Sequence, residues 1–175
     1  MSILPRSIRV LIITTLALGF WGYLPEGSRM EMDTASAQKA PPDTLITLER
    51  TGCYGMCPIY KVSISADGTV IFEGTRFVKK VGTARSTISE EQIRELIVAF
   101  DKINYFELRD QYVKPEDGCK QWLTDNPSAI TSINRSGKSK SVTHYYGCRG
   151  IEVLKDLEKL EQAIDNAVNS GQWIR

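Results

Sequence analysis

The sequence predicts an α+β fold in which an antiparallel sheet of about five strands packs two helices on one face. Short segments with alternating apolar residues, such as 58–65, are typical of half-buried strands. The dipeptide Asp67-Gly68 then provides the positive φ that a tight hairpin turn needs. Two later segments, 89–103 and 151–169, repeat apolar residues at helical spacing. The predicted order is therefore strands, helix, strands, helix.

The first half of the domain contains the strand candidates that precede the first helix. We expect these strands at 44–50, 58–65, 69–74 and 76–81. The helix that follows has the pattern of a capping box, with Ser89 as N-cap and Gln92 at the third helical position. Its apolar stripe includes Leu96 and Phe100, which we expect to face the sheet.

The second half contains one hairpin followed by one helix, and the sequence has no internal repeat. Segments 129–133 and 140–145 are the strand candidates, and 114–127 before them is expected to be a loop. Leucine, isoleucine and valine residues mark the buried stripe of the second helix, 151–169. We expect the helices to carry their acidic side chains on solvated faces. These residues are Glu90, Glu91, Glu95, Glu158 and Glu161.

An export segment precedes the domain. Arg6 and Arg9 come before the apolar run 10–24, which is the layout of a secretory signal and is short for a membrane-spanning helix. Ala35-Ser36-Ala37 is an Ala-x-Ala cleavage site, although charged residues separate it from the apolar run. An uncleaved N-terminal anchor therefore stays open as the alternative. The expected organisation is a signal peptide or anchor at 1–37, a linker at 38–43 and a single α+β domain at 44–175.

The composition limits the classes of partner. The chain has 22 Lys and Arg residues against 21 Asp and Glu residues, a net charge of +1. Dedicated nucleic-acid binders usually have a basic excess, so no nucleic acid is expected as a partner. We expect an exported protein, periplasmic or extracellular, that contacts the membrane only through residues 10–24 if the N-terminal segment is not cleaved.

The four cysteines predict two disulfides, because exported domains favour oxidised cysteines. Cys53 and Cys57 lie in a glycine-containing segment that can turn, and Cys119 and Cys148 flank the second hairpin, whose open ends meet. We therefore expect the pairs Cys53–Cys57 and Cys119–Cys148. A zinc site or a redox-active pair stays open as an alternative, although neither the zinc nor the thioredoxin-type spacing is present.

The remaining candidate residues are assigned to binding and not to catalysis. His144 is the only histidine and has no nucleophile in a recognised setting, and Asp125 before Asn126-Pro127 is typical of a turn. A small hydrolase using both would need a pocket that contains them. No catalytic residue, metal ligand or cofactor is expected. The candidate binding residues lie on or beside the cysteine loops: Tyr54, Tyr60, Asp125, His144, Tyr145 and Tyr146.

The segment Cys53-Tyr54-Gly55-Met56-Cys57-Pro58-Ile59-Tyr60 resembles a bacterial family of uncharacterised exported domains. These domains have a Cys-Tyr-Gly-x-Cys-Pro-x-Tyr motif, and the resemblance continues through Asp125-Asn126-Pro127, covering about Leu45 to Ile174. It implies an envelope-associated α+β domain and no particular activity. It also implies that Cys119 and Cys148 are an optional addition, which agrees with their pairing.

The sequence is therefore interpreted as an exported, disulfide-stapled binding or interaction module of the cell envelope. Its partner, a protein or envelope component, is not identified by any motif. Rigid loops that carry tyrosines make recognition surfaces at low entropic cost. The alternative is a thiol–disulfide or metal-handling protein centred on Cys53 and Cys57.

Overall fold

A computed structural model describes residues 39–175. The predicted export segment, including the apolar run and the Ala-x-Ala site, lies outside these residues. Within residues 39–175, no helix is long and apolar enough to cross a membrane.

The described residues form an α+β domain with a mostly antiparallel sheet. Its strands are β1 (Leu45–Arg50), β2 (Ile59–Ser65), β3 (Thr69–Arg76), β4 (Gly82–Thr87), β5 (Gln111–Tyr112), β6 (Gln121–Trp122), β7 (Ser128–Arg135), β8 (Lys138–Tyr145) and β9 (Cys148–Arg149). Its helices are α1 (Glu90–Lys102), α2 (Val153–Ala167) and α3 (Gly171–Ile174). Single 3₁₀ turns lie at Tyr105–Glu107 and Pro115–Asp117.

The main sheet has seven strands in the order β4-β3-β2-β1-β7-β8-β5. All neighbours are antiparallel except β5 and β8, which are parallel, and β6 pairs with β9 in a separate two-stranded sheet. The α+β class is therefore confirmed, but the arrangement of five antiparallel strands and two helices is wrong. The first strand, β1, lies in the middle of the sheet because β7 returns to pair with its free edge.

The strand predicted at 76–81 is wrong, because these residues form the turn that follows β3. The strand β3 continues to Arg76, the chain turns through 77–81, and β4 begins at Gly82. The backbone of this turn lies so close to Gly74 that a Cβ there would be 2.0 Å from the Lys80 carbonyl oxygen. The Lys80 N–H donates to the Trp173 carbonyl oxygen, which ties the turn to α3.

The helix α1 begins with the predicted capping box. The Gln92 N–H donates to Ser89 Oγ, and the Ser89 N–H donates to Gln92 Oε1, so two otherwise unpaired backbone donors are satisfied. The helix buries Ile93, Leu96 and Phe100 and packs against α2. A local motif thus determines where α1 begins, and its apolar stripe determines which side is buried.

The helix α2 closes the core with an apolar face that also contains one carboxylate. Leu154, Leu157, Leu160 and Ile164 are buried, and Glu161 is buried among them. The prediction that Glu161 lies on a solvated face is therefore wrong. A buried carboxylate needs hydrogen-bonding partners, and these partners define the candidate site.

Candidate functional site

Two disulfides hold the loops around the site. The short disulfide joins Cys53 to Cys57, with their Cα atoms 5.7 Å apart, and the long disulfide joins Cys119 to Cys148, with 5.1 Å between Cα atoms. This is the pairing that the sequence predicts. The loop closed by the short disulfide also contacts the 123–127 loop, since the Tyr54 N–H donates to the Asp125 carbonyl oxygen over 3.2 Å.

A cleft of about 700 Å³ lies between these loops and the first half of α2. One cysteine of each disulfide, Cys57 and Cys148, lines it. Its apolar lining includes Pro58, Pro127, Ile151, Leu154 and Ile174. Its charged lining consists of Arg50, Arg149, Glu152, Lys155 and Glu158. A cleft of this size is within the usual range for ligand pockets.

A buried polar network forms the base of the cleft, with Arg50 of β1 at its centre. The Arg50 Nη2 donates to Asp165 Oδ2 over 2.8 Å, and Nη1 donates to Glu161 Oε2 over 3.3 Å and to the Tyr146 hydroxyl. The Tyr60 hydroxyl donates to the other Asp165 oxygen over 2.7 Å. The Tyr146 hydroxyl donates to Glu161. Strands β1 and β2, and the residue that follows β8, are thus tied to α2 by polar contacts.

His144 also belongs to this network, through its contact with Glu161. Its Nδ1 lies 2.9 Å from Glu161 Oε1, and its ring lies 4.6 Å from the Tyr146 ring, measured between centroids. Both His144 and Glu161 are only 1% exposed by side chain. The carboxylate of Glu161 therefore accepts from three residues at once, which is how a buried carboxylate is satisfied.

Burial and the charges of the network change the protonation of its members. Burial raises the pKa of Tyr60 well above its usual value, and the Asp165 carboxylate adds to this. Burial and the Glu161 carboxylate do the same to the pKa of Tyr146. Burial alone would lower the pKa of Arg50, but the surrounding negative groups outweigh it and raise that pKa. At neutral pH the network therefore has two neutral phenols around a permanent guanidinium.

Five of the six predicted binding residues fall into two groups. Tyr60, His144 and Tyr146 meet in the buried network, and Tyr60 and Tyr146 also line the cleft. Tyr54 and Asp125 lie on the surface loops, and the Tyr54 side chain is 90% exposed.

Tyr145 has a different role from its neighbour Tyr146. Side chains alternate along a strand, so Tyr145 of β8 points away from the network. Its hydroxyl donates to the Leu123 carbonyl oxygen over 2.6 Å and accepts from the Asn126 N–H over 3.2 Å. Tyr145 thus supports the 123–127 loop and does not line the cleft.

The geometry does not bring together the pair that a hydrolase would use. His144 is buried and hydrogen-bonded to Glu161, whereas Asp125 is exposed on a loop with a φ of 67°. Neither residue lines the cleft. The hydrolase alternative that needed both residues in one pocket is therefore not supported by their positions.

The network contains three residues that the sequence analysis did not select. Arg50, Glu161 and Asp165 were not candidates because Arg50 is far in sequence from the two carboxylates. One signal was present, since Glu161 follows Leu157 by four residues and precedes Ile164 by three. A carboxylate on the apolar stripe of a helix is typical of a buried partner for a distant cation.

The described residues contain neither a group of side chains arranged to bind a metal ion nor a free thiol. All four cysteines of the chain are in disulfides. Within residues 39–175, no group of three or more His, Cys, Asp and Glu side chains is positioned to hold a metal ion. The arrangement is one of hydrogen-bond donors and acceptors around a cleft, which is suited to binding.

These features define a class of protein: a disulfide-stabilised α+β domain in which a buried polar network underlies a cleft. The sequence profile of the family described as "Domain of unknown function (DUF6438)" matches residues 44–168. The chain belongs to this family. No curated protein matches the chain significantly.

Proposed function

We propose that this protein is an exported, non-enzymatic binding module that holds part of a protein or envelope partner in its cleft. The observation that carries the proposal is that one cysteine of each disulfide lines a single cleft whose base is a largely buried, hydrogen-bonded arginine network. A site with a pre-organised wall loses little conformational entropy when a ligand binds.

The loop of the short disulfide extends the proposed binding surface beyond the cleft. Tyr54 and Met56 are 90% and 82% exposed, and both lie within five residues that a disulfide closes. Exposed tyrosine and methionine side chains are typical of protein-binding surfaces. We propose that this loop contacts the partner at the edge of the cleft.

A pair of tryptophan substitutions on α2 tests the cleft. Glu158 lines the cleft and its neighbour Lys159 does not, so Glu158→Trp fills the cleft while Lys159→Trp adds the same side chain outside it. The full-length oxidised protein would be used to capture partners from the envelope fraction of its source cells. We expect wild type and Lys159→Trp to capture the same partners and Glu158→Trp to lose them. Identical capture by all three, with equal thermal unfolding, would contradict the proposal.

The alternative function is thiol–disulfide exchange or metal handling at Cys53 and Cys57. It is favoured only by the surface position of the short disulfide, since two residues of its loop are among the exposed apolar side chains. Thiol titration of the native protein in a glutathione buffer tests it. Reduction of the short disulfide at the redox potential of the envelope, or stoichiometric zinc in the purified protein, would replace the binding proposal.

Export is part of the same proposal. It rests on the layout of residues 1–37 and on the two disulfides, which persist in oxidising compartments. If the Ala35-Ser36-Ala37 site is used, the mature protein begins at Gln38. N-terminal sequencing of the protein from fractionated cells decides between cleavage and an N-terminal anchor. Recovery of the protein from the cytoplasmic fraction with its cysteines reduced would contradict export.

A further inference from the structure

The connection between β3 and β4, residues 76–81, carries unpaired positive charge, and we call it the basic turn. The side chains of Arg76, Lys79 and Lys80 are exposed, and none of them forms an ion pair within the part of the chain that the structure describes. The turn contains three cations and no carboxylate, a charge of +3. The acidic residue nearest to it in the sequence, Glu73, lies opposite a lysine of β2.

The basic turn also exposes apolar side chains between its charges. Val81 is 64% exposed and Phe77 is 37% exposed. The Arg76 guanidinium lies over the Phe77 ring, 4.6 Å from the ring centroid. Binding of a protein to a bilayer surface increases with the apolar area that it buries and with the attraction between its cations and anionic lipids. The basic turn provides both of these contributions.

Contacts with the core and with α3 hold the basic turn in place. Val78 packs against the core, and the Lys80 N–H donates to the Trp173 carbonyl oxygen over 2.9 Å. Phe77 has a φ of 56°, a left-handed conformation that persists for a bulky residue only where its surroundings impose it. The C-terminus beside the turn adds no net charge, because Arg175 carries both a guanidinium and the terminal carboxylate. The turn therefore loses little conformational entropy when it binds.

We infer that the basic turn docks on the surface of an anionic phospholipid bilayer. Its cations meet the lipid phosphates, and Phe77 and Val81 enter the headgroup region. Nucleic acid would also attract the cations, but its phosphates and sugars would leave Val81 without an apolar partner. This contact is separate from the one expected of residues 10–24.

The position of the basic turn relates the bilayer to the cleft. Arg76 lies opposite Ile59, which follows Pro58 of the cleft lining, so the turn and the cleft lie at the same end of the sheet. A domain docked through the turn holds its cleft close to the membrane surface. The inference does not depend on what the cleft binds.

A matched pair of tryptophan substitutions tests the contact on the full-length oxidised protein. Val81→Trp adds a reporter in the basic turn, and Val98→Trp adds one on α1, where the valine is equally exposed at 63%. Vesicles with brominated acyl chains quench tryptophans that reach the bilayer. With vesicles of phosphatidylcholine and phosphatidylglycerol in equal amounts, we expect the tryptophan at 81 to add a quenched signal to that of wild type. The tryptophan at 98 should add an unquenched one, and the three natural tryptophans are common to all variants.

Removal of charge tests the role of the lysines. In the Val81→Trp protein, Lys79→Gln together with Lys80→Gln removes two of the three cations and should weaken the vesicle affinity of the turn by about 30-fold. Lys102→Gln together with Lys138→Gln removes two exposed, unpaired lysines elsewhere and should leave it nearly unchanged. Vesicles of phosphatidylcholine alone, or added salt, should also abolish the extra quenching.

The contrary outcomes are distinct. No quenching of the tryptophan at 81, or equal quenching of the one at 98, would overturn the bilayer contact and leave the cations for an acidic protein partner. Quenching that is as strong with neutral vesicles, or after loss of both turn lysines, would overturn the anionic surface. The substituted residues are exposed, so we expect equal urea midpoints for all variants. None of them lines the cleft, so failure of this inference leaves the proposed function standing.

Discussion

Replacement of Arg50 by methionine should be among the most destabilising single changes in this domain. Methionine keeps much of the aliphatic volume but removes every hydrogen bond to Asp165, Glu161 and Tyr146. The Glu161 carboxylate, 1% exposed, would remain in the core without its cation. Removal of one partner from a buried ion pair costs about 3 to 5 kcal/mol, and we expect a loss of this size in the free energy of unfolding.

The domain contains a matched control for this experiment. Arg135 also donates two hydrogen bonds to one carboxylate, that of Asp101, over 2.6 and 2.9 Å, but Asp101 is 53% exposed. Exposed pairs contribute about 0 to 1 kcal/mol, so Arg135→Met should have a small effect. Urea unfolding of the oxidised proteins, followed by tryptophan fluorescence, compares the two variants. If Arg50→Met is no more destabilising than Arg135→Met, the network is not the stabilising contact that we describe.

Three further predictions concern stability. Replacement of the long disulfide (Cys119–Cys148) by two alanines should cost about 3.6 kcal/mol and replacement of the short disulfide about 2 kcal/mol, because the longer loop loses more entropy when closed; urea unfolding measures both, and the reverse order would contradict the loop argument. Ser89→Ala should cost about 1 kcal/mol through loss of the N-cap, whereas an unchanged urea midpoint would mean that the cap contributes nothing. Burial raises the pKa of Tyr60 and Tyr146, so their contribution to stability should be complete below pH about 10 and should fall as the pH rises towards their folded-state values. Tyrosinate absorbance and fluorescence recorded together during alkaline titration test this, and ionisation of all tyrosines before unfolding would refute it.

The sequence analysis predicted correctly those elements whose structure depends on residues that are close together in the sequence. The capping box of α1 and the Asp67-Gly68 turn are local motifs, and both are present as expected. The strand expected at 76–81 was wrong because Phe77, Val78 and Val81 have high strand propensity but lie in a turn. The actual strand, β4, is a polar edge strand without the alternation that reveals a buried face.

The remaining parts of the fold and of the site that the sequence analysis did not predict depend on contacts between residues far apart in the sequence. The two-residue strand β5 exists only because β8 offers a parallel partner, which no local pattern encodes. Tyr60 and Tyr146 were selected because they adjoin cysteine loops, and both line the cleft. Arg50 and Asp165 were missed because neither has a distinctive local context, and only the folded sheet brings them together.

The position of Arg50 has a consequence for how the chain folds. Arg50 is on the first strand, while Glu161 and Asp165 are 111 and 115 residues further along the chain. Contacts of such high sequence separation are slow to form, because a long loop must close before the interaction rewards it. The meander from β1 to β4 can form early from adjacent pairings, but Arg50 has no counter-charge until α2 docks. A chain that stops before residue 161 would contain every strand and an unsatisfied guanidinium at the end of the central strand β1, so the docking of α2 acts as the step that commits the domain to its native state.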